Sequence, residues 1–282
     1  MTTQQIIEQR WQAASIRDNF IFGKTFEMNP DLCRRLIESI LNIRIKNLSF
    51  PEREKVVEAR ADSKGIRLDV YSEDKGNARS FDIEMQITNN DNLGKRMHYY
   101  QGLIDLDKLK HGQHYRDLGE VFIIFICPFK VFSDNRHIHT FRNLCVEDSN
   151  VALNDGATKI FLSTKGSADD VSATVKNFLN YVDNGTVAGS FVEELDEAVQ
   201  LVKSNKKVRL EFMTYEMALL DRELQGREKG RVEGRAEGRA EGHVEMIKNF
   251  LAVGAPMDLI IKATGWSEDK IRQIQNDDSK QH

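Results

Sequence analysis

Long apolar runs are missing from this sequence. No stretch approaches the roughly 18 apolar residues of a membrane-spanning helix. The opening residues MTTQQIIEQRWQAAS lack the basic start and apolar core of an export signal, so a cytoplasmic protein is expected. Cysteine is scarce: Cys33, Cys127 and Cys145 are odd in number, far apart and never spaced as CxxC. Such a set excludes a disulfide framework and a zinc knuckle, and leaves small core residues as the reading. An excess of positive charge is also absent. The formal net charge of −4 gives no global basic footprint of the kind nucleic-acid binders carry. Phosphate contacts then fall to local basic spots such as Lys95/Arg96, while Lys206/Lys207/Arg209 reads as a solvated face. His98, His111, His114, His137 and His139 lack ligand spacing for a zinc enzyme, and no motif supports a Ser or Cys nucleophile.

What is present is a chain of 282 residues, 40% hydrophobic and 30% charged, enough for one sizeable α/β core with an appendage. Leu32, Leu36, Ile37, Ile40 and Leu41 recur at helical spacing behind Asn29-Pro30 and predict a helix over 31–41. Residues 46–50 and 56–61 suggest short strands. Residues 66–72 and 80–87 alternate apolar and polar, the mark of half-buried strands. Asn90 or Asp91 is placed to cap a helix running to about Lys110, and VFIIFI at 121–126 reads as a strand covered on both faces. Residues 159–162 suggest another strand, and 169–182 and 191–224 suggest helices. This order is that of an α/β sandwich.

Between the alternating strands, Gly76-Asn77 is a favoured pair for a two-residue hairpin loop of type I′ or II′. With that loop, partner numbers sum to 153, placing Asp69 across from Glu84, Arg67 from Gln86 and Tyr71 from Asp82. The other face collects Ile66, Leu68, Val70, Phe81, Ile83, Met85 and Ile87. Two carboxylates directly opposite, with Cβ atoms about 5 Å apart, repel unless something neutralises them. A hard divalent cation such as Mg²⁺ does so, taking one or two protein carboxylates plus water and phosphate oxygens. The backbone carbonyl of Met85 is a further candidate ligand, and Gln86, on the same face as Glu84, can orient a water or touch a phosphate. The competing reading is a solvent-facing polar sheet, with Arg67 reaching diagonally to Glu84 as a salt bridge.

Over 225–243 glycine returns every four residues, at Gly226, Gly230, Gly234, Gly238 and Gly242, flanked by Arg and Glu. On a helix these form a stripe without side chains, open to close approach by a second helix and hence to self-association; a flexible charged linker is the alternative. The tail over 244–282 suggests two short helices around Gly265-Trp266-Ser267, a helix-turn-helix-like hairpin.

The stretch Gly65-Ile-Arg-Leu-Asp69-Val, a turn, then Phe81-Asp-Ile-Glu84-Met-Gln86 resembles the D…ExQ form of the PD-(D/E)XK nuclease signature. More narrowly it resembles the Rpn family of recombination-promoting nucleases and putative transposases. The likeness extends to Asp18–Phe26, the helix LCRRLIESIL, Arg96-Met-His-Tyr-Tyr100, His111-Gly-Gln-His-Tyr115, VFIIFI and the glycine-repeat tail; 130–190 match loosely. It implies an α/β fold with an αβββαβ core and a helical C-terminal extension. Residues 1–190 become the nuclease-like domain, with its core at about 16–130, followed by a helical segment at 191–224, the repeat and the tail. It also implies a DNA substrate, phosphodiester hydrolysis, a divalent metal (Mg²⁺, with Mn²⁺ as substitute) and a link to recombination or mobile elements. By position, Asp69 and Glu84 match the metal-binding acids and Gln86 stands where the signature has lysine. Glu38 stands where many such enzymes carry an acid on the first core helix, although an exposed helical residue is an equal reading. Leu68 replaces the signature proline. Glutamine, unlike lysine, can only hydrogen-bond the attacking water. Arg96 and Tyr100, one helical turn apart, and Lys95 are candidate DNA contacts. The rival of another class is a catalytically inactive DNA- or partner-binding module that keeps the fold.

Overall fold

The computed structural model describes residues 1–57, 65–89 and 92–279. α1 (Thr3–Ala13) begins with a reciprocal cap, in which Thr2 accepts from the Gln5 N–H and the Gln5 side chain accepts from the Thr2 N–H. α2 (Asn19–Met28) is capped by the Asp18 carboxylate, which accepts from the N–H groups of Phe20 and Ile21. α3 (Pro30–Leu41) carries proline in its first turn, where the missing N–H costs nothing. Then come β1 (Glu52–Val57), β2 (Ile66–Asp74), β3 (Arg79–Met85), α4 (Leu93–Lys108), β4 (Glu120–Cys127), β5 (Ile138–Phe141) and β6 (Ala157–Ser163). The chain continues as α5 (Ala173–Asn184), α6 (Ser190–Ser204), α7 (Lys206–Ala252), α8 (Met257–Thr264) and α9 (Glu268–Ser279). The strands form one sheet in the order β1-β2-β3-β4-β6-β5, parallel at β3–β4 and β4–β6 and antiparallel elsewhere. Within this mixed α/β fold, α2-β1-β2-β3-α4-β4 supplies the expected αβββαβ order.

The β2–β3 register is the anticipated one, with Val70 opposite Ile83, Tyr71 opposite Asp82 and Asp74 opposite Arg79. The turn is not. Neither Gly76 nor Asn77 has positive φ, as type I′ or II′ requires, and the loop is the four residues between Asp74 and Arg79, with Ala78 at φ 50°. Asp74 is the reason. Its carboxylate accepts from the N–H groups of Asn47 and Gly76 and from the Asn77 side chain, so a side chain organises the turn.

The expected half-buried strands are covered on both faces, by α2 on one side and α4 on the other. Strand alternation also breaks in β2. Ile66 and Leu68 pack in the same cluster as Tyr71, together with Met97, Tyr100 and Phe125, although residues three apart on a regular strand point oppositely. The β1–β2 pairs run Arg53–Val70, then Lys55–Leu68, and the skipped Glu54 has φ 55°. Ile66 and Leu68 therefore leave the face they were expected to share with Ile83.

Some local expectations shift. The proposed strand at 46–50 is a single bridge, Leu48 to Asp74. Residues 58–61 and the proposed caps Asn90 and Asp91 lie outside the described residues. The helix expected over 191–224 breaks at Asn205, whose side chain accepts from the N–H groups of Lys207 and Val208 and starts α7. The glycine repeat is helical within α7, and apart from adjacent residues and the helix's own nearby backbone no heavy atom lies within 4 Å of where its Cβ atoms would stand. Two compact units, Met1–Met213 and Thr214–His282, divide the chain. The second is built on Ile247, Ile260 and Ile271, with Phe250 and Trp266 packed against them. Cys33 and Cys127 are buried, and all three thiols are free. Among the described residues no helix is long and apolar enough to cross a membrane.

A close approach fixes how β4 joins the hairpin. A Cβ on Gly119 would stand 1.9 Å from the Ala78 carbonyl oxygen, which accepts from the Glu120 N–H at 3.0 Å. Gly119→Ala is expected to cost at least about 2 kcal/mol, since backbone must move. A urea midpoint equal to wild type would contradict this.

Candidate active site

The β2–β3 ladder stops at Val70–Ile83, and the strands part toward Asp69 and Glu84. Side chains then take over from backbone pairing. The Asp69 N–H donates to Glu84 Oε1 at 3.0 Å, and the Met85 N–H donates to Asp69 Oδ2 at 3.2 Å. Each acid thus binds the opposite strand at the fork, and the two carboxylates are held together. From α2, Asn19 Nδ2 donates to Asp69 Oδ1 at 3.3 Å, leaving Asn19 Oδ1 buried and without a partner. Gly23 lets α2 come this close, because a Cβ there would lie 3.2 Å from the Asp69 carbonyl oxygen and 2.6 Å from Arg53 Cγ. A cleft of about 960 Å³ opens over Asp69 and Glu84, walled by Asn19, Lys95, Arg96 and Tyr100.

Arg96 is the cation hydrogen-bonded to Glu84. Its Nη2 donates to Glu84 Oε2 at 2.6 Å and its Nη1 to Gln86 Oε1 at 2.5 Å. The guanidinium lies 4.8 Å from the Phe125 ring and 5.2 Å from the Tyr100 ring, so its faces are packed as well as its edge. Both Glu84 oxygens are therefore engaged, and the Gln86 amide is fixed at its other end by the Thr88 carbonyl at 2.7 Å. Arg67 pairs with Glu54 at 3.5 Å. Glu84 is hydrogen-bonded by Arg96, with Arg67 adding charge at longer range, and this face is buried rather than solvent-facing.

Burial governs the electrostatics. Asp69 is 6% exposed and Glu84 2%. Burial, with Glu84 beside it, pushes the Asp69 carboxyl well above its ordinary range. Burial also raises Glu84, while Arg96 and the Asp69 N–H hold it back. A third acid joins them. Asp82, 0% exposed on the same face of β3, has no hydrogen-bond partner on either oxygen. Burial first, then Glu84 and Asp69, push it well above its ordinary range. Sequence reasoning placed Asp82 opposite Tyr71 but assigned it no role. The available signal was its position two residues before Glu84, where the strand period returns the same face.

Of the other predicted residues, Lys95 and Tyr100 line the cleft and Met85 brings its N–H to Asp69. Glu38 does not come to the cleft. Its carboxylate accepts from Arg34 at 2.9 Å and from the Ile45 N–H at 2.8 Å, fixing the chain after α3. The helix lying on β2 is α2, and α3 packs on α2 and α5, so Asn19 occupies the place expected for Glu38. Among the described residues no group of three or more His, Cys, Asp and Glu side chains is set to hold a metal. Two carboxylates and the unpartnered Asn19 oxygen form a hard-oxygen set that suits a cation keeping several waters, as Mg²⁺ does.

The raised carboxyl of Asp82 has a consequence for stability. Below about pH 4 the acids of the unfolded chain are protonated too, and the group makes no difference. Above that, the unfolded chain releases its proton while the buried carboxyl retains it, so folding stability falls as pH rises. Asp82→Asn removes this loss. Its Tm should exceed that of wild type by at least about 3 °C at pH 8, with a smaller gain at pH 4.5. Equal Tm differences at the two values would refute the assignment.

A family model described as PD-(D/E)XK nuclease family transposase matches residues 19–181. No curated protein and no solved structure matches the chain. The match spans α2 through most of α5 and includes the fork with its acidic pair, so the chain belongs to the PD-(D/E)XK nuclease family of transposases.

Proposed function

We propose that this chain is a divalent-metal-dependent DNA endonuclease of the Rpn type, hydrolysing phosphodiester bonds in recombination or in the movement of mobile elements. The observation that carries this is the pair Asp69 and Glu84, held at a strand fork under an open cleft by each other's backbone partners. PD-(D/E)XK nucleases generally use divalent metals. Here Asp69, Glu84, the Met85 carbonyl and Asn19 Oδ1 would hold Mg²⁺, or Mn²⁺ in its place. When bound, such a cation acidifies a water and offsets charge building on the phosphate. Gln86 orients that water or the phosphate by hydrogen bonding alone. Lys95, exposed on α4, meets the DNA backbone, and Arg96 and Tyr100 continue that wall inward.

A second reading has its own support. Arg96 already satisfies Glu84 and Gln86, which is what a chain that has lost catalysis and kept the fold for binding DNA or protein would show. Metal binding separates the two: carboxylate-dependent Mn²⁺ uptake belongs only to the nuclease. The decisive variant is Asp69→Ala. It should reduce Mg²⁺-dependent plasmid nicking by about a thousandfold or more, the scale of losing several kcal/mol of metal-derived stabilisation, with an unchanged circular dichroism spectrum. Undiminished cleavage by the purified variant sinks the nuclease reading.

The glycine stripe of α7 is proposed to pair two copies of the chain. Gly230→Leu combined with Gly234→Leu should leave α7 helical and abolish self-association in sedimentation velocity; an unaltered sedimentation coefficient in both proteins counts against pairing.

A further inference from the structure

We propose that Asp82 is a positioning residue for the metal centre: when a divalent cation occupies the place between Asp69 and Glu84, Asp82 receives the guanidinium of Arg96. The inference rests on Asp69 and Glu84 being cation ligands, and adds how their site is cleared. At present Arg96 stands where that cation's charge is needed, with Nη2 2.6 Å from Glu84. A metal drawing on Glu84 must displace it, and a displaced guanidinium on this half-buried wall needs a new acceptor.

Three observations point to Asp82 as that acceptor. Both of its oxygens are buried without a hydrogen-bond partner, and Arg96 Nε is a buried donor without one. These unmatched groups complement each other in hydrogen-bonding role, acceptor to donor. Next, Asp82 and Glu84 follow one another on one face of β3, about 7 Å apart by strand geometry, with Gln86 in step just past the strand's end. Arg96 now spans the last two, and a shift of one repeat along the strand takes it to the first. Finally, the surface for that shift is in place. The guanidinium rests on the Phe125 and Tyr100 rings, and Tyr100 lies one turn further along α4 from Arg96. Both Arg96 and Asp82 act electrostatically on the Tyr100 hydroxyl, Asp82 raising its pKa and Arg96 lowering it.

Paramagnetic titration of the full chain with Mn²⁺ tests this, using the free-ion signal to read affinity. Asp82→Asn should weaken Mn²⁺ binding about tenfold, the scale seen when outer partners of metal ligands are removed. Arg96→Met should tighten binding, because the competing cation is gone. The diagnostic result is the double variant: with Arg96 absent, Asp82→Asn should change affinity less than twofold. A direct ligand, or an acid acting by its charge alone, would retain the tenfold loss in both backgrounds, and that result overturns the proposal. Unchanged affinity in Asp82→Asn alone also overturns it. Should either single variant not fold, Asp82→Ser and Arg96→Gln carry the same comparison. Mn²⁺ binding that needs Asp69 but ignores Asp82 defeats this inference and leaves the nuclease reading standing; absence of any Mn²⁺ binding by wild type defeats both.

Discussion

Three buried carboxylates, Asp69, Asp82 and Glu84, stand on two adjacent strands, and Arg96 answers them through Glu84 while Arg67 adds positive charge near Asp69 and Glu84. Everything else at the site follows from keeping this arrangement folded. Burying one ionised carboxylate without compensation costs several kcal/mol, and three would exceed the marginal stability of a domain. The fold meets the problem in three ways. It lets the strands fork, so that two backbone N–H groups point at carboxylates instead of carbonyls. It lays an arginine across Glu84 on a bed of aromatic rings. It also raises the proton affinity of Asp69 and Asp82, which lowers the charge present. On the proposed metal-binding reading, a divalent cation would do the work of the second and third devices at once.

The hairpin register was legible because a period-two pattern has only two parities and burial of the apolar set selects one. That parity survived a mistaken turn type, since the four-residue loop around Gly76-Asn77 keeps the same pairs in step. The break in β2 was not legible. It depends on Glu54 adopting positive φ, and no glycine or asparagine stands there to announce it. Glu38 and Asn19 exchanged places for a related reason. The pattern of α3 is strongly two-sided and easy to read, whereas α2 buries Phe20, Ile21, Phe22, Thr25 and Phe26 and offers no polar stripe for a helical period to stand out against. The helix that serves the site was therefore the harder one to see. Asp82 was visible but inert on paper, because its significance is the absence of any partner, a property of packing rather than of pattern.

The second half of α7 shows the opposite relation between sequence and structure. Its period is conspicuous, yet its five glycines each forfeit roughly 1 kcal/mol of helix propensity relative to alanine. The ion pairs along it, such as Arg227–Glu223 and Lys229–Glu233, return only about 0.3–0.5 kcal/mol each. These terms do not balance within one helix. A second surface lying close along the glycine stripe is the contribution that would close the difference, which is the physical ground for the proposed pairing.

Arg96 bears on both functional readings, and its contacts are those of an arginine free to shift in its plane. A plug is best built with every donor satisfied and its acceptors saturated, yet Arg96 Nε is unpartnered and an unused buried acid lies one strand repeat away. Its contacts with Phe125 and Tyr100 are face contacts, which hold a guanidinium to a plane without fixing its position in that plane. A binding-only site gains nothing from Asp82, because an apolar residue of similar volume would remove the burden of an unmatched carboxylate. On the proposed reading, the unmatched carboxylate of Asp82 is the acceptor the guanidinium takes when another cation arrives at Glu84.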